Sequence, residues 1–303
     1  MNTSTLFMAF AKGQESKETV FKRYIGVAPV SILALNPTRD QMMEILGSAP
    51  EEEPVYVGET DRNGEKITQV RLTFLVKTEA AKCNGIEAIM PLTLFIANAW
   101  DVTNDGQKVF VVNKYGENAC IPIEDAEKGV LPDNIAQWFS TEGMRKAYRG
   151  ERALVDMLKR FLVIPNRTYQ DRKSGARVQI KNLEDAEALL TKIPDYFKGD
   201  VSEIKEIIAS QPNNKIKVAV GVRTTDDNRQ YQDIFTRLIL GYRVNDFSKL
   251  DAEIKNAQSN GAYPKTEFSI EPLHEYEVEA TPMVPATPAE PAAAPSSWFQ
   301  AAE

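Results

Sequence analysis

The chain contains very little cysteine and histidine. Its 303 residues include two cysteines, Cys83 and Cys120, and a single histidine, His274. This is too few for a disulfide framework or for a zinc site built from these residue types. A catalytic Ser-His-Asp or Cys-His centre would have to use this one histidine, so such a centre is not expected. We therefore expect a non-enzymatic protein with no catalytic residues, metal or cofactor, in a reducing cytoplasmic compartment.

Long apolar runs and nucleotide-binding motifs are also missing. No stretch approaches the roughly 18 consecutive apolar residues of a transmembrane helix, so no membrane partner is expected. The first residues show no basic segment followed by a long apolar run, so no secretory signal is expected. The glycine patterns of phosphate-binding loops, the HExxH zinc motif and the EF-hand loop are absent. Apolar residues make up 43% of the chain, which is typical of a globular body with a packed core.

The negative charge of the chain is concentrated at its C-terminal end. The net charge of −7 disfavours a nucleic-acid partner if it is spread evenly. Residues 266–303 contain seven acids and neither Lys nor Arg, and these seven account for the whole excess. The preceding part of the chain is therefore electrically neutral, and a basic surface can form on it.

One segment of this neutral part is strongly basic and contains aromatic residues. Residues 145–181 hold eleven bases against three acids. Lys and Arg neutralise phosphates with release of counterions, and exposed rings stack on unpaired bases. The candidate phosphate ligands are Arg145, Lys146, Arg149, Arg152, Arg167, Arg172, Lys173 and Arg177, and the candidate stacking rings are Tyr148 and Tyr169. The alternative is an ordinary solvated face that the acidic stretch 184–206 neutralises. Phe161 lies on the apolar stripe of a predicted helix, so we assign it to the core.

Alternating apolar residues and turn signals predict an antiparallel meander in the first half. Strands are predicted at 26–35, 54–60, 66–78, 87–98, 109–112 and 118–123. Asn63-Gly64, Asn84-Gly85 and Asp105-Gly106 mark the turns between them. Thr38 and Gln41 form a capping box that predicts a helix over 39–46. This pattern is typical of a small closed barrel or a sandwich.

Four further residues of the first half are candidate nucleic-acid contacts. Arg71 and Lys77 lie on the polar face of strand 66–78. On an oligonucleotide-binding barrel this face would meet the nucleic acid, although an ordinary solvent face is the alternative. Lys114 and Tyr115 lie between two predicted strands, in a nucleic-acid loop or a simple turn.

The second half mixes helices with strands. Helices are predicted over 151–162 and from the N-cap residues Asn182 and Asp200, with a hairpin over 169–181 and strands at 215–225 and 231–240. Beyond Pro264 the chain is rich in proline and alanine, which predicts a disordered acidic tail. Trp298 and Phe299 near its end predict a docking peptide for a partner. An acidic tail can also occupy a basic groove in cis, so deleting 266–303 is expected to tighten nucleic-acid binding.

The sequence thus predicts an α+β protein with an antiparallel β-rich body and an oligonucleotide-binding-like barrel. The predicted divisions are an N-terminal arm (1–20), the barrel core (21–125), a mixed α/β portion completing the binding groove (126–264) and the disordered tail (265–303).

Two other functions remain open. Pro194-Asp195 followed by Glu203-Ile204-Lys205 matches the loose pattern of Mg²⁺-dependent nucleases. Asp200 and Glu203 also fit a helix capping box, which is the stronger interpretation because the nuclease pattern requires strands. The second alternative is a virion or assembly protein, in which the β body packs against copies of itself.

Five segments resemble phage-encoded single-stranded DNA-binding proteins, in particular those of crAss-like tailed phages. They are FKRYIGVAPVSILALNP (21–37), EEEPVYVGE (51–59), VRLTFLVKTE (70–79), VVNKYGENA (111–119) and KAYRGERALVDMLKRFLVIPN (146–166). The resemblance implies sequence-tolerant binding of single-stranded DNA during phage replication or recombination, in the host cytoplasm. It also implies that the tail recruits replication or recombination proteins, and it leaves self-association on DNA open. The chain departs from this class in two ways. It lacks the Cys/His zinc site that some phage members carry, and Trp298-Phe299 lies four residues before the end, whereas bacterial relatives end in Phe.

Overall fold

The computed structural model describes residues 21–278 with several gaps. The gaps are residues 63, 104, 115–116, 162, 171–176, 182–191 and 273–275. For residues 21, 22, 62, 163–170, 177–181, 207, 210 and 276–278 the backbone is described without the side chains. The predicted N-terminal arm and most of the predicted tail lie outside the described residues. The same holds for Tyr115, Arg172, Lys173, Trp298 and Phe299.

Strands dominate the described part of the chain. They are β1 (Phe21–Arg23), β2 (Gly26–Leu35), β3 (Val57–Arg62), β4 (Glu65–Thr78), β5 (Ile89–Trp100), β6 (Lys108–Val112), β7 (Asn118–Pro122), β8 (Arg145–Lys146), β9 (Tyr148–Arg149), β10 (Val163–Gln170), β11 (Arg177–Lys181), β12 (Lys215–Thr224), β13 (Gln230–Gly241), β14 (Thr266–Phe268) and β15 (Tyr276–Val278). The helices are α1 (Arg39–Leu46), α2 (Ile123–Lys128), α3 (Asp133–Ala136), α4 (Glu151–Phe161), α5 (Ser202–Ser210) and α6 (Ser248–Ser259). A short 3₁₀ turn, Ala80–Lys82, follows β4.

The largest sheet is antiparallel throughout and has the strand order β13-β12-β2-β4-β5-β9, with β3 added to β4 and β14 added to β12. β3 and β4 pair up to Arg62 and Glu65, so they are joined where the first turn is predicted, and Gly64 has a positive φ of 84°. Asn63 lies outside the described residues. Asn84 and Gly85 both have positive φ, as the second predicted turn requires. The predicted mixed α+β class with an antiparallel sheet is therefore confirmed.

The sheet joins strands from both sides of the predicted division at residue 125. β12 pairs with β2 from Lys215 opposite Ser31 to Val220 opposite Gly26. The largest sheet of the described body is therefore built from strands of both portions.

The core fills the inner face of this sheet. Val70, Leu72, Phe74 and Val76 alternate along β4 and are all buried, because successive strand residues point to opposite faces. They pack in one cluster with apolar residues of α4 and α5, including Phe161, as predicted. β13 and β5 approach each other without pairing, and α4 packs against both. The sheet therefore curls into a half-barrel around α4.

Two smaller clusters complete the packing. On the outer face of β12 and β13, Ala219 and Phe235 pack with Leu250 and Ile254 of α6. β6, β7 and β8 form a separate three-stranded sheet. Its own apolar cluster includes Phe139. The meander predicted through the first half therefore divides after β5.

The helix predicted over 39–46 is α1, and its predicted capping box is present. The Gln41 backbone N–H donates to the Thr38 hydroxyl at 3.3 Å, and the Thr38 N–H donates to the Gln41 side-chain oxygen at 3.0 Å. Gly47 ends the helix with φ of 68°. Helices α2, α3 and α6 have no counterpart among the sequence predictions. No helix among the described residues is long and apolar enough to cross a membrane.

The prediction of a disordered tail from residue 265 is wrong for its first part. β14 pairs with β12 between Thr266 and Arg223, and Thr266 is buried. β15 pairs with β1 between Tyr276 and Arg23. Short β segments need few apolar residues when they add to existing strands, so composition alone does not reveal them.

Candidate nucleic-acid interface

The structure brings five of the predicted site residues together where β8, β9 and the start of α4 meet. They are Arg145, Lys146, Tyr148, Arg149 and Arg152. β9 joins the edge of β5, with Ala97 opposite Arg149 and Trp100 opposite Tyr148.

Gly150 allows this junction, because it has φ of +85° and a Cβ there would lie 1.8 Å from the Phe95 carbonyl oxygen. The chain can therefore turn directly from β9 into α4 while staying in contact with β5.

A row of three aromatic rings lies at this junction. Trp100 stacks on Tyr148 with a centroid distance of 5.1 Å and an interplanar angle of 30°. Tyr148 in turn meets Phe197 edge to face at 5.3 Å. Tyr148 is half-buried against the main core, whereas Trp100 is 48% exposed. We call these three rings the Trp100 platform; its inner rings hold Trp100 in place and leave part of it accessible.

Trp100 was missed by the sequence reasoning. A lone tryptophan at the end of an alternating strand looks like any residue of that strand. The stacking partner comes from a segment that is distant in the chain, so no local pattern predicts the pair.

Arg145 has a structural partner beside the platform. Its guanidinium donates two hydrogen bonds to Glu151, at 2.9 and 2.5 Å, and the Glu151 carboxylate is fully buried. The same guanidinium lies 5.7 Å from the centre of the Tyr148 ring. Arg145 therefore positions Tyr148 and α4, while a third of its side chain stays exposed.

The other bases of this region are also near acids, except for Arg149. Lys146 pairs with Glu127 at 3.5 Å. Arg152 pairs with Asp101 at 2.7 Å, and its guanidinium lies over the Phe110 ring. Arg149 is exposed on β9. The local excess of positive charge is therefore smaller than the sequence count indicates.

The polar face of β4 is not the open strip that the alternation predicts. Arg71 and Lys77 do lie on one face, but Thr73 and Leu75 between them are buried. Arg71 donates to the Val55 carbonyl at 3.2 Å and lies 5.4 Å from the Tyr56 ring, and burial lowers its pKa.

At the far end of the same face, the Lys77 ammonium pairs with Glu87 at 2.7 Å. Arg71 and Lys77 are thus two separate sites, and no open polar strip joins them.

The remaining predicted contacts are placed only in part. Lys114 forms an ion pair with Glu142. Arg167 and Tyr169 lie on β10 and Arg177 lies on β11, and these strands form an antiparallel hairpin in which Arg177 pairs with Gln170. The predicted hairpin over 169–181 is thus present. The roles of its side chains stay predictions.

A second group of cations is not among the predicted site residues. Lys82, Lys215 and Lys217 surround the ring of Tyr242, at the opposite side of the sheet from β9. Residues 215–243 hold six bases and three acids together with tyrosines, which is a signal that could have indicated Lys215 and Lys217. Lys82 is distant in the sequence and is brought to them by the fold.

The nuclease-like pattern lies on helical structure. Glu203 is on α5 and Asp195 belongs to a helical turn at residues 192–196. The N-cap of α5 is Val201, while Asp200 accepts hydrogen bonds from the backbone and hydroxyl of Ser202, so the predicted Asp200 cap is shifted by one residue. Among the described residues, no three His, Cys, Asp or Glu side chains are grouped so that they could hold a metal ion.

Comparisons of the chain with protein-family models, with curated protein sequences and with solved structures give no significant match.

Proposed function

We propose that this protein binds single-stranded DNA without strong sequence preference and performs no chemistry on it. The observation that carries the proposal is the Trp100 platform: a half-exposed indole stacked on Tyr148, with the Arg145 guanidinium near the Tyr148 ring. Arg149, the next residue of β9, is exposed. An accessible ring with a guanidinium group on the neighbouring ring suits a nucleotide, whose base stacks while its phosphate meets a cation.

The platform favours unpaired over paired bases. In a duplex, the faces of the bases are already stacked on their neighbours, so an exposed ring gains little from them. An unpaired base can stack at about 1–3 kcal/mol, and this gain is similar for all four bases. We therefore infer that the protein prefers single-stranded over duplex DNA and tolerates any base sequence.

The fold is compatible with this function. The curled antiparallel sheet supports an oligonucleotide-binding-like architecture, in which the groove lies along the sheet and its loops. α4 fills the inside of the half-barrel, so the nucleic acid would lie outside it, at the end of β5 where Trp100 meets β9. The hairpin of β10 and β11 follows α4 in the chain and would extend the interface with Arg167, Tyr169 and Arg177.

The sequence resemblance supports a place in phage DNA replication or recombination. In this proposal the C-terminal residues around Trp298 and Phe299 dock to a replication or recombination protein. The three acids beyond Val278 compete with DNA for the basic interface.

A fluorescence titration tests the proposal. Oligo-dT, oligo-rU and duplex DNA are titrated into the full chain at two salt concentrations. If about five phosphates are neutralised, the logarithm of the affinity for oligo-dT falls with the logarithm of salt at a slope of about −3.5. Equal affinity for duplex and single strand, or no binding to either, contradicts the proposal.

A further inference from the structure

Three lysine side chains converge on one tyrosine ring at the β12–β13 side of the sheet. The ammonium nitrogen of Lys82 lies 4.7 Å from the centre of the Tyr242 ring, and those of Lys215 and Lys217 each lie 5.9 Å from it. Lys82 also donates a hydrogen bond of 2.6 Å to the Tyr242 hydroxyl. We call these four residues the Tyr242 cluster.

The fold explains why these lysines meet. Lys215 and Lys217 are two residues apart on β12, so both side chains point to the outer face of the sheet. Lys217 pairs with Leu240 of β13, two residues before Tyr242. Lys82 arrives from the 3₁₀ turn that follows β4. Three separate parts of the chain therefore supply the cluster, and its geometry is fixed by the pairing of the strands.

The cluster holds more positive charge than its neighbours neutralise. Glu79 lies 3.0 Å from the Lys215 ammonium and 3.8 Å from that of Lys82. Among the described residues, no other carboxylate pairs with these three lysines within 4 Å. Three ammonium groups facing one carboxylate leave an excess of two positive charges.

Lys217 is satisfied by neutral acceptors. Its ammonium donates to the Val244 carbonyl at 2.6 Å and to the Asn245 side-chain oxygen at 3.0 Å. Burial, together with the nearby charge of Lys82, lowers the pKa of Lys217. The positive form of this side chain is thus under electrostatic strain that a bound anion would relieve.

We propose that the Tyr242 cluster binds a phosphomonoester dianion, such as the terminal phosphate of a nucleic-acid strand or of a free nucleotide. A phosphomonoester carries about −1.5 to −2 charges at pH 7 and three strong acceptor oxygens. These numbers match the excess of two positive charges and the three ammonium donors. An internal phosphodiester carries one charge and would leave half of the excess unbalanced.

Tyr242 and the neighbouring Phe247 indicate an organic phosphate. The Lys217 ammonium lies 5.4 Å from the centre of the Phe247 ring, and Tyr242 and Phe247 are both partly exposed. The rings beside the ammonium groups can contact a sugar or base attached to the phosphate. The site lies apart from the Trp100 platform, because Lys215 is level, through Ser31 and Lys77, with Ile89 at the start of β5, whereas Trp100 is at the other end of that strand.

Calorimetric titration of the full chain with small molecules tests this proposal independently of DNA binding. The probes are dTMP, thymidine and inorganic phosphate. We expect dTMP to bind and thymidine not to bind. Binding of dTMP tighter than that of inorganic phosphate assigns the site to a nucleotide or strand end, whereas equal binding assigns it to the free anion; both support a dianion site.

Matched variants locate the binding. Lys217→Gln is expected to weaken dTMP binding about tenfold, because a charge-assisted hydrogen bond is lost. Lys82→Gln is also expected to weaken dTMP binding. Because Lys82 is half-exposed, this variant replaces Lys217→Gln if the latter does not fold. Glu79→Gln is expected to tighten binding, because the competing carboxylate is removed. Lys255→Gln is the control, since this exposed α6 lysine loses the same charge next to Asp251.

Two results would overturn the proposal. One is the absence of dTMP binding to the unmodified chain. The other is an equal affinity for dTMP in Lys217→Gln, Lys82→Gln and Lys255→Gln, which would place any binding elsewhere. Because the probes contain a single nucleotide at most, failure of the single-stranded DNA proposal leaves these outcomes unaffected.

Discussion

Arg145 and Glu151 form a two-pronged ion pair in which the carboxylate is fully buried while a third of the arginine side chain is exposed. Glu151 also accepts a hydrogen bond of 2.8 Å from the Tyr148 backbone N–H. It occupies the first turn of α4, where the helix dipole favours a negative charge. This one carboxylate therefore fastens β8, β9 and α4 to each other, and with them the Trp100 platform.

The first prediction concerns the stability that this pair provides. Arg145→Ala leaves the buried Glu151 charge without its ion-pair partner, so we expect the free energy of unfolding to fall by about 3 kcal/mol. Lys146→Ala is the control, because its partner Glu127 is 61% exposed and such pairs contribute under about 1 kcal/mol. Urea unfolding of both variants measures the difference. Equal losses would show that Glu151 does not depend on Arg145.

The partner of Arg145 could not be predicted from the sequence. Arg145 was assigned to phosphate from the sequence alone, because a basic residue near a tyrosine looks the same whether it serves a ligand or a buried acid. The sequence holds no signal for the burial of Glu151, which arises when α4 enters the half-barrel. Arg145 and Lys146 therefore show why charge counts predict a basic region better than they predict its contacts.

Other parts of the fold were predictable because their signals are local. The capping box of Thr38 and Gln41 predicted α1, and the turn signal Asn63-Gly64 predicted where β3 and β4 are joined. The alternation along β4 predicted its buried face, but not the burial of Thr73 and Leu75 on the other face. Pairing of β12 with β2 and stacking of Trp100 on Tyr148 join residues far apart in the chain, so short-range patterns could not predict them.

The second prediction concerns the two cysteines. Cys83 is fully buried, and burial raises its pKa to about 11. The thiolate is the reactive form, so at pH 8 Cys83 presents almost none of it, and labelling speeds up only as the pH approaches the raised pKa. Iodoacetamide at pH 8 is therefore expected to modify Cys120, which is half-buried, well before Cys83. Mass spectrometry of the digested protein gives the labelling rates, and faster labelling of Cys83 in the native protein would contradict the packing around β4.

The third prediction concerns the C-terminal residues. Since β14 and β15 belong to the fold, the informative truncation ends at Val278 instead of at Lys265. Removing residues 279–303 deletes three of the seven acids of the tail and both docking residues, Trp298 and Phe299. We expect unchanged unfolding and tighter binding of oligo-dT, because a competitor for the basic interface is lost.

The increase in oligo-dT affinity caused by this truncation is expected to become smaller as the salt concentration rises, because salt screens the exposed charges. Titrating both forms with oligo-dT at low and high salt measures the effect. Weaker binding by the truncated form would show that the C-terminal residues assist DNA binding instead of competing with it.

The most direct test of the account compares two exposed aromatic residues of β5. Trp100 and Phe95 are 48% and 47% exposed, but Trp100 belongs to the platform whereas Phe95 lies on the outer face of β5, opposite Arg71 of β4. Affinity for oligo-dT is measured for Trp100→Ala and Phe95→Ala, with unfolding curves to verify the fold. We expect Trp100→Ala to weaken binding by about 5- to 150-fold, the loss of one base stack, and Phe95→Ala to change it little. The opposite order, or unchanged affinity in Trp100→Ala, would contradict an interface centred on Trp100.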